Sequence, residues 1–150
     1  MGDRTTVTLT VLTSQVSEVV EILEYVLDCA YKFNGDITTS FTFDEVNYGT
    51  LKNLPALVDK GIAYESDWEA GSGYGPGTES TRFTEEGEVI TKTVCDEDLS
   101  LAVITLMGVI DHPTELVELI KERHIELQIL PWDNQEEYGK RYMARQLIST

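Results

Sequence analysis

The chain has 150 residues, 27 of them acidic and 11 basic, giving a formal net charge of −16 and a sequence pI near 4.3. That length makes one domain with enough interior to fold without disulfide or metal staples, and 41% apolar content in periodic segments excludes a disordered chain. The charge repels phosphate and anionic lipid, so direct nucleic-acid and membrane binding are disfavoured and a basic protein partner is expected.

Thr5 to Thr13 reads as a strand, with Val7, Leu9 and Val11 inward and threonines alternating outward. Ser14 opens a helix whose apolar stripe is Val16, Val19, Val20, Leu23, Val26, Leu27 and Ala30, with Asn34-Gly35 as its stop. Ile37 to Phe43 alternates as a second strand, and a short helix around Leu51 to Lys60 carries Pro55 and closes at Gly61. From Ile62 to Ala70, Ile62, Tyr64, Trp68 and Ala70 share one face of a strand and Glu65, Asp67 and Glu69 the other. A loop with glycines at 71, 73, 75 and 77 leads into a hairpin of about Glu79 to Thr84 and Val89 to Val94, turned at Glu86-Gly87. Pairing Asp67 with Arg82 sets Phe83 opposite Ser66 on the Tyr64 and Trp68 face, and brings one cation to the acidic face.

The second half is less strongly patterned. Asp96-Glu97-Asp98 suits a helix N-terminus, and Leu99 to Ile110 then reads as a buried helix, although its composition also permits a buried strand. Pro113 begins a further helix with Leu116, Val117, Leu119 and Ile120 on its apolar side. Ile125, Leu127 and Ile129 alternate as a last strand, and Asp133 with Glu136 has capping-box spacing for a C-terminal helix that Gly139 weakens. The whole fits a single α+β domain over 1–150, a two-layer sandwich with helices on one face of a mainly antiparallel sheet, compatible with a ferredoxin-like arrangement carrying an inserted hairpin.

Candidate chemistry is sparse. The alternating glycines follow no dinucleotide or P-loop pattern and lead into a strand, so the positive helix end that holds phosphate is missing. His112 and His124 lack metalloprotease spacing, and Cys29 and Cys95 lack CxxC spacing and are expected as reduced thiols in a cytoplasmic, soluble protein. Asp96-Glu97-Asp98 and the acids from Asp133 to Glu137 do not follow the EF-hand pattern. No metal or cofactor is expected, and no signal segment or membrane span is legible.

The acidic surface is the best candidate. Glu65, Asp67 and Glu69 repeat at about 6.6 Å along one strand face, and Glu18, Glu21, Glu24 and Asp28 occupy the polar side of the first helix, with Lys32 placed to pair with Asp28. Tyr74 on the glycine loop is a candidate contact anchor. In layout these rows resemble the carboxylate arrays of acidic DNA-mimic inhibitors. The expected function is therefore a non-enzymatic protein that occupies the basic, nucleic-acid-binding surface of a protein partner. Two alternatives stand beside it. One is a small α+β enzyme on a cationic or neutral metabolite, with Glu65, Asp67, Tyr64 and Trp68 lining a cleft. The other is a structural protein whose acids only solubilise it; a halophilic surface fits poorly, since glutamate exceeds aspartate. Lys140, Arg141 and Arg145 between Tyr138 and Tyr142 could meet the acidic face of a second copy, giving a homo-oligomer.

Overall fold

The computed structural model describes residues 3–149. Six strands, β1 (Arg4–Leu12), β2 (Tyr31–Asn34), β3 (Thr38–Asn47), β4 (Tyr64–Trp68), β5 (Gly77–Phe83) and β6 (Val89–Cys95), form one sheet in the order β2-β3-β1-β4-β5-β6. Every neighbouring pair is antiparallel. The helices are α1 (Val16–Ile22), α2 (Leu54–Asp59), α3 (Val103–Val109), α4 (Pro113–Leu127) and α5 (Gln135–Ser149).

The first 68 residues explain the architecture. The path β1-α1-β2-β3-α2-β4 brings β3 between β1 and β2 and sets β4 on the free side of β1, which is the ferredoxin-like arrangement. Hairpin β5–β6 extends that sheet from the β4 edge. Alternation in β1 sends Val7, Leu9 and Val11 to one face, where Phe41, Phe43 and Tyr64 join them under Val19, Leu23, Val26, Leu54 and Leu57. Each of these buried side chains contributes about 1.5–3 kcal/mol of transfer free energy. α5 extends the layer: the Tyr142 ring lies 5.1 Å from that of Phe83.

Several local expectations are corrected. The first helix does not run from Ser14 to Ala30. A 3-10 turn (Thr13–Gln15), α1 and a second 3-10 turn (Glu24–Asp28) follow one another. The apolar stripe survives because Val19, Leu23 and Val26 remain buried across the junctions. The Ala30 amide then donates to Thr42 O at 2.8 Å, drawing the chain into β2, so Asn34-Gly35 closes a hairpin rather than a helix.

Hairpin β4–β5 keeps the expected faces in a different register. Ser66 lies opposite Glu79 and Asp67 opposite Thr78, four residues away from the expected pairing. An even shift leaves each side chain on its face. Gly77 decides the register: it sits opposite Trp68, whose indole covers it and whose Nε1 donates to Gly75 O at 3.1 Å.

Within Leu99 to Ile110 only Val103–Val109 is α-helical, as α3, after a 3-10 turn (Asp96–Leu99) that follows the bond from the Cys95 amide to the Asp98 carboxylate at 2.8 Å. None of its residues is buried, contrary to expectation. The expected strand at Ile125 to Ile129 does not form. Ile125 and Leu127 finish α4, and the chain then crosses the sheet as a strap held by Lys92 Nζ to Gln128 O (2.6 Å) and Arg82 Nε to Leu130 O (2.9 Å). The Glu136 carboxylate accepts from Ser14 Oγ at 2.8 Å and pairs with Lys140. Both cysteines are free.

Candidate functional site

Alternation in β4 places Glu65 and Asp67 on the sheet face opposite α1 and α2, with Glu65 between Thr10 and Ser80 and Asp67 between Thr8 and Thr78. Arg82 shares that face. It is 2% exposed, and its Nη2 bonds the Glu65 carboxylate. Its Nη1 donates to the carbonyls of Tyr64 and Thr81, both at 3.2 Å, and its guanidinium lies 3.7 Å from the Trp132 ring centre. Burial pulls the Arg82 pKa down, and the Glu65 carboxylate opposes that pull. Asp67 accepts from the Thr78 hydroxyl. Glu69 lies beyond the strand end, exposed, with its amide bonded to Thr6 O. Of the three expected acids, one is neutralised within the fold, one accepts a local hydrogen bond and one is free.

The rest of this face is a hydroxyl surface. Thr8 and Thr42 are 3.1 Å apart and Thr10 and Ser40 3.0 Å, while Tyr31 and Phe33 stand exposed at the β2 edge. The two aromatics were hidden in sequence by assignment to a helix end. Their alternation with Lys32 and Asn34 before Gly35 was the available signal.

Glu18, Glu21, Glu24 and Asp28 are exposed and form no ion pair among the described residues. Lys32 lies over the Phe41 ring, 5.4 Å from its centre, rather than on Asp28. The break at Leu23 sets these acids on two successive coils instead of one line. Tyr74 is half-buried against its own loop, and burial followed by the Asp3 charge raises its phenol pKa. Asp3 clamps that loop through the Gly73 amide at 2.9 Å. Backbone amides of Ser72 and then Gly73 lower the Asp3 pKa.

Two hollows carry polar chemistry. A cleft of about 140 Å³ is lined by Tyr48, Ser66, Trp68 and Glu79. Tyr64 Oη donates to Glu79 Oε1 at 2.5 Å, and burial, then this hydrogen bond, pushes the phenol up to about 12. Such a phenol donates but does not act as a base at neutral pH. The cleft is also well below the roughly 300–1,000 Å³ of ordinary small-molecule sites. A larger hollow, about 420 Å³, opens between the β5–β6 turn and the start of α5, lined by Phe83, Glu85, Glu86, Asp133 and Tyr138 among others. None of its three acids forms an ion pair among the described residues. Carboxylates beside aromatic walls are complementary to a guanidinium or ammonium group. Sequence reading missed this site because its walls come from segments about fifty residues apart.

The C-terminal cations are spent at home. Arg141 pairs with Glu137 at 2.5 Å and donates to Glu85 O at 2.7 Å; Arg145 reaches Glu86 O at 3.0 Å and Glu88 at 3.6 Å; Lys140 meets Glu136. Arg141 and Arg145 latch α5 to the β5–β6 turn, while the Lys140 pair lies within α5 itself. No group of three or more His, Cys, Asp or Glu among the described residues is arranged to hold a metal ion. No described helix is long and apolar enough to cross a membrane. No protein-family model matches the chain, and neither a curated protein nor a solved structure resembles it significantly.

Proposed function

We propose that this is a non-enzymatic acidic binding protein that occupies a basic surface of a protein partner, whose cationic side chain enters the hollow walled by Glu85, Glu86, Asp133 and Tyr138. The supporting observation is that hollow: Glu85, Glu86 and Asp133 enter no ion pair among the described residues and stand beside Tyr138, while Arg141, 5.4 Å from the Tyr138 ring centre, and Arg145 bond the carbonyls of Glu85 and Glu86 rather than their carboxylates. The wider field favours the same partner. Six of the 27 acids are ion-paired, leaving 21 unpaired among the described residues, Glu18, Glu21, Glu24 and Asp28 included. Inhibition of a nucleic-acid-handling protein by DNA mimicry is the sharpest form of this reading. In that form the exposed acids stand where phosphates would, and the partner's counter-ions are released on binding.

The test is fluorescence anisotropy with a labelled nona-arginine peptide across a salt series. Binding weakens steeply with salt. The triple variant E85Q/E86Q/D133N lowers affinity by about tenfold or more, and E18Q/E21Q/E24Q by only about threefold, since long-range charge is screened beyond about 10 Å. Equal losses in the two variants, or no binding at low salt, would overturn the assignment of the hollow. Whether DNA displaces a natural partner from the immobilised protein decides the mimic form.

A further inference from the structure

From Asp96 to Asn134 no residue is buried, so the hairpin of α3 and α4 adds nothing to the core of the sheet. Its own pattern is nevertheless ordered. Leu116, Leu119, Arg123 and Leu127, at i, i+3, i+7 and i+11, are half-buried, as are Leu106 and Val109 of α3, which packs against α4. Glu115, Glu118, Glu122 and Glu126 repeat the same spacing about a quarter turn round α4. A third stripe, Pro113, Val117, Ile120 and His124, lies about a quarter turn the other way, opposite the glutamates. On α3 the matching flank is Val103, Met107 and Ile110. At 100° per residue, these two flanks of an antiparallel pair fall on the same side of the hairpin.

That side is apolar, acid-free and open. Val103, Met107, Ile110, Val117 and Ile120 are between 48% and 73% exposed. Together they show on the order of 500 Å² of apolar surface, near the largest patch of a typical monomer, about 300–600 Å². It would form the apolar centre of a dimer interface of about 800 Å² per partner.

We infer that this face pairs with its counterpart on a second copy about a two-fold axis, packing the hairpins as four antiparallel helices. Charge selects that occupant. Leu99 to Ile110 contains no charged residue, in a chain of net charge −16. A basic partner would seek the carboxylates, which lie on the other side of α4. Two molecules that repel each other everywhere else can approach where charge is absent, and stripe-on-stripe pairing turns both rows of glutamates outward. Short helices covered on one side only are marginal in water, so each copy needs a cover in equal number, and another copy is the one partner always present at that ratio.

This inference stands apart from the proposed function and has the opposite salt response. Sedimentation equilibrium on the full chain, from about 1 to about 100 µM, should give twice the 16.8 kDa chain mass. Salt should tighten the dimer by screening repulsion. M107E/I120E should weaken it by more than about 30-fold. Retained tryptophan fluorescence would show that the sheet domain of that variant is still folded. Ile104→Glu, on the back of α3 and 87% exposed, should leave it dimeric. A monomer at every concentration and salt, a dimer that survives M107E/I120E, or equal dissociation by Ile104→Glu would overturn the inference.

Discussion

Arg82 is bonded to Glu65 beneath the strap that carries Trp132, and among the described residues it is the only ion-paired side chain that is buried. Glu65 is itself 23% exposed, so water reaches one member of the pair. Glu65→Gln removes the charge but leaves Arg82 three carbonyl partners, and should cost about 1–2 kcal/mol. Arg82→Met strands the carbonyls of Leu130 and Tyr64 and should cost about 3 kcal/mol or more. Urea unfolding measures both. Equal stability of all three proteins would mean that the strap is not anchored through this side chain.

Gln135 does the work of a missing strand. The β4–β5 ladder ends at Tyr64 and Thr81, and beyond it the Gln135 amide accepts from Phe83 N at 2.7 Å and donates to Phe83 O at 2.9 Å. Gln135→Leu leaves both buried backbone groups unpaired and should cost about 2–4 kcal/mol. Faster hydrogen exchange at the Phe83 amide is the specific readout. Unchanged protection there would contradict the contact.

Gly139 looks like a weak point in α5, where alanine would add up to about 1 kcal/mol of helix propensity. The structure reverses the sign. A Cβ at Gly139 would overlap the carbonyl of Gly61, itself at φ +66°. Gly139→Ala should therefore lower stability by about 2 kcal/mol or more. A raised thermal midpoint would show that α5 and the Gly61 turn do not touch.

Tyr64 and Tyr25 are both pushed up from 10.0 to about 12, in each case chiefly by burial. A phenol whose pKa rises on folding keeps its proton in the folded state after the unfolded chain has lost it. The stability it contributes is complete below about pH 10 and is lost as pH climbs from about 10 to about 12. Alkaline unfolding followed by phenolate absorbance should show this loss, and Tyr64→Phe should flatten it. A Tyr64→Phe curve as steep as the wild type would remove Tyr64 as the cause.

The legible parts of the chain were those written at short range. The faces of β1 and β4, the helices at 54–59 and 113–127, and the C-terminal helix follow from spacing that repeats within a few residues. β2 was missed because Tyr31 and Phe33 follow an apolar stripe that 3-10 turns prolong at nearly helical spacing. The last expected strand failed for a different reason. Ile125, Leu127 and Ile129 alternate, but Ile125 and Leu127 are taken up in the last turn of α4, and the carbonyls of Gln128 and Leu130 beyond it accept from the side chains of Lys92 and Arg82 rather than from a strand.

The sequence by itself determined the α+β class, the acidic excess and the assignment of Glu65 and Arg82 to one sheet face, because periodicity and net charge are properties of neighbours along the chain. The tertiary structure alone decided which acids keep their charge unmatched. The sliding of β5 against β4 gave Arg82 to Glu65, and the docking of α5 brought Arg145 to Glu88, whereas Lys140 and Arg141 meet Glu136 and Glu137 one turn away on their own helix. Coulomb attraction depends on separation in space, and residues as far apart as Arg145 and Glu88 acquire that separation only when the chain closes on itself.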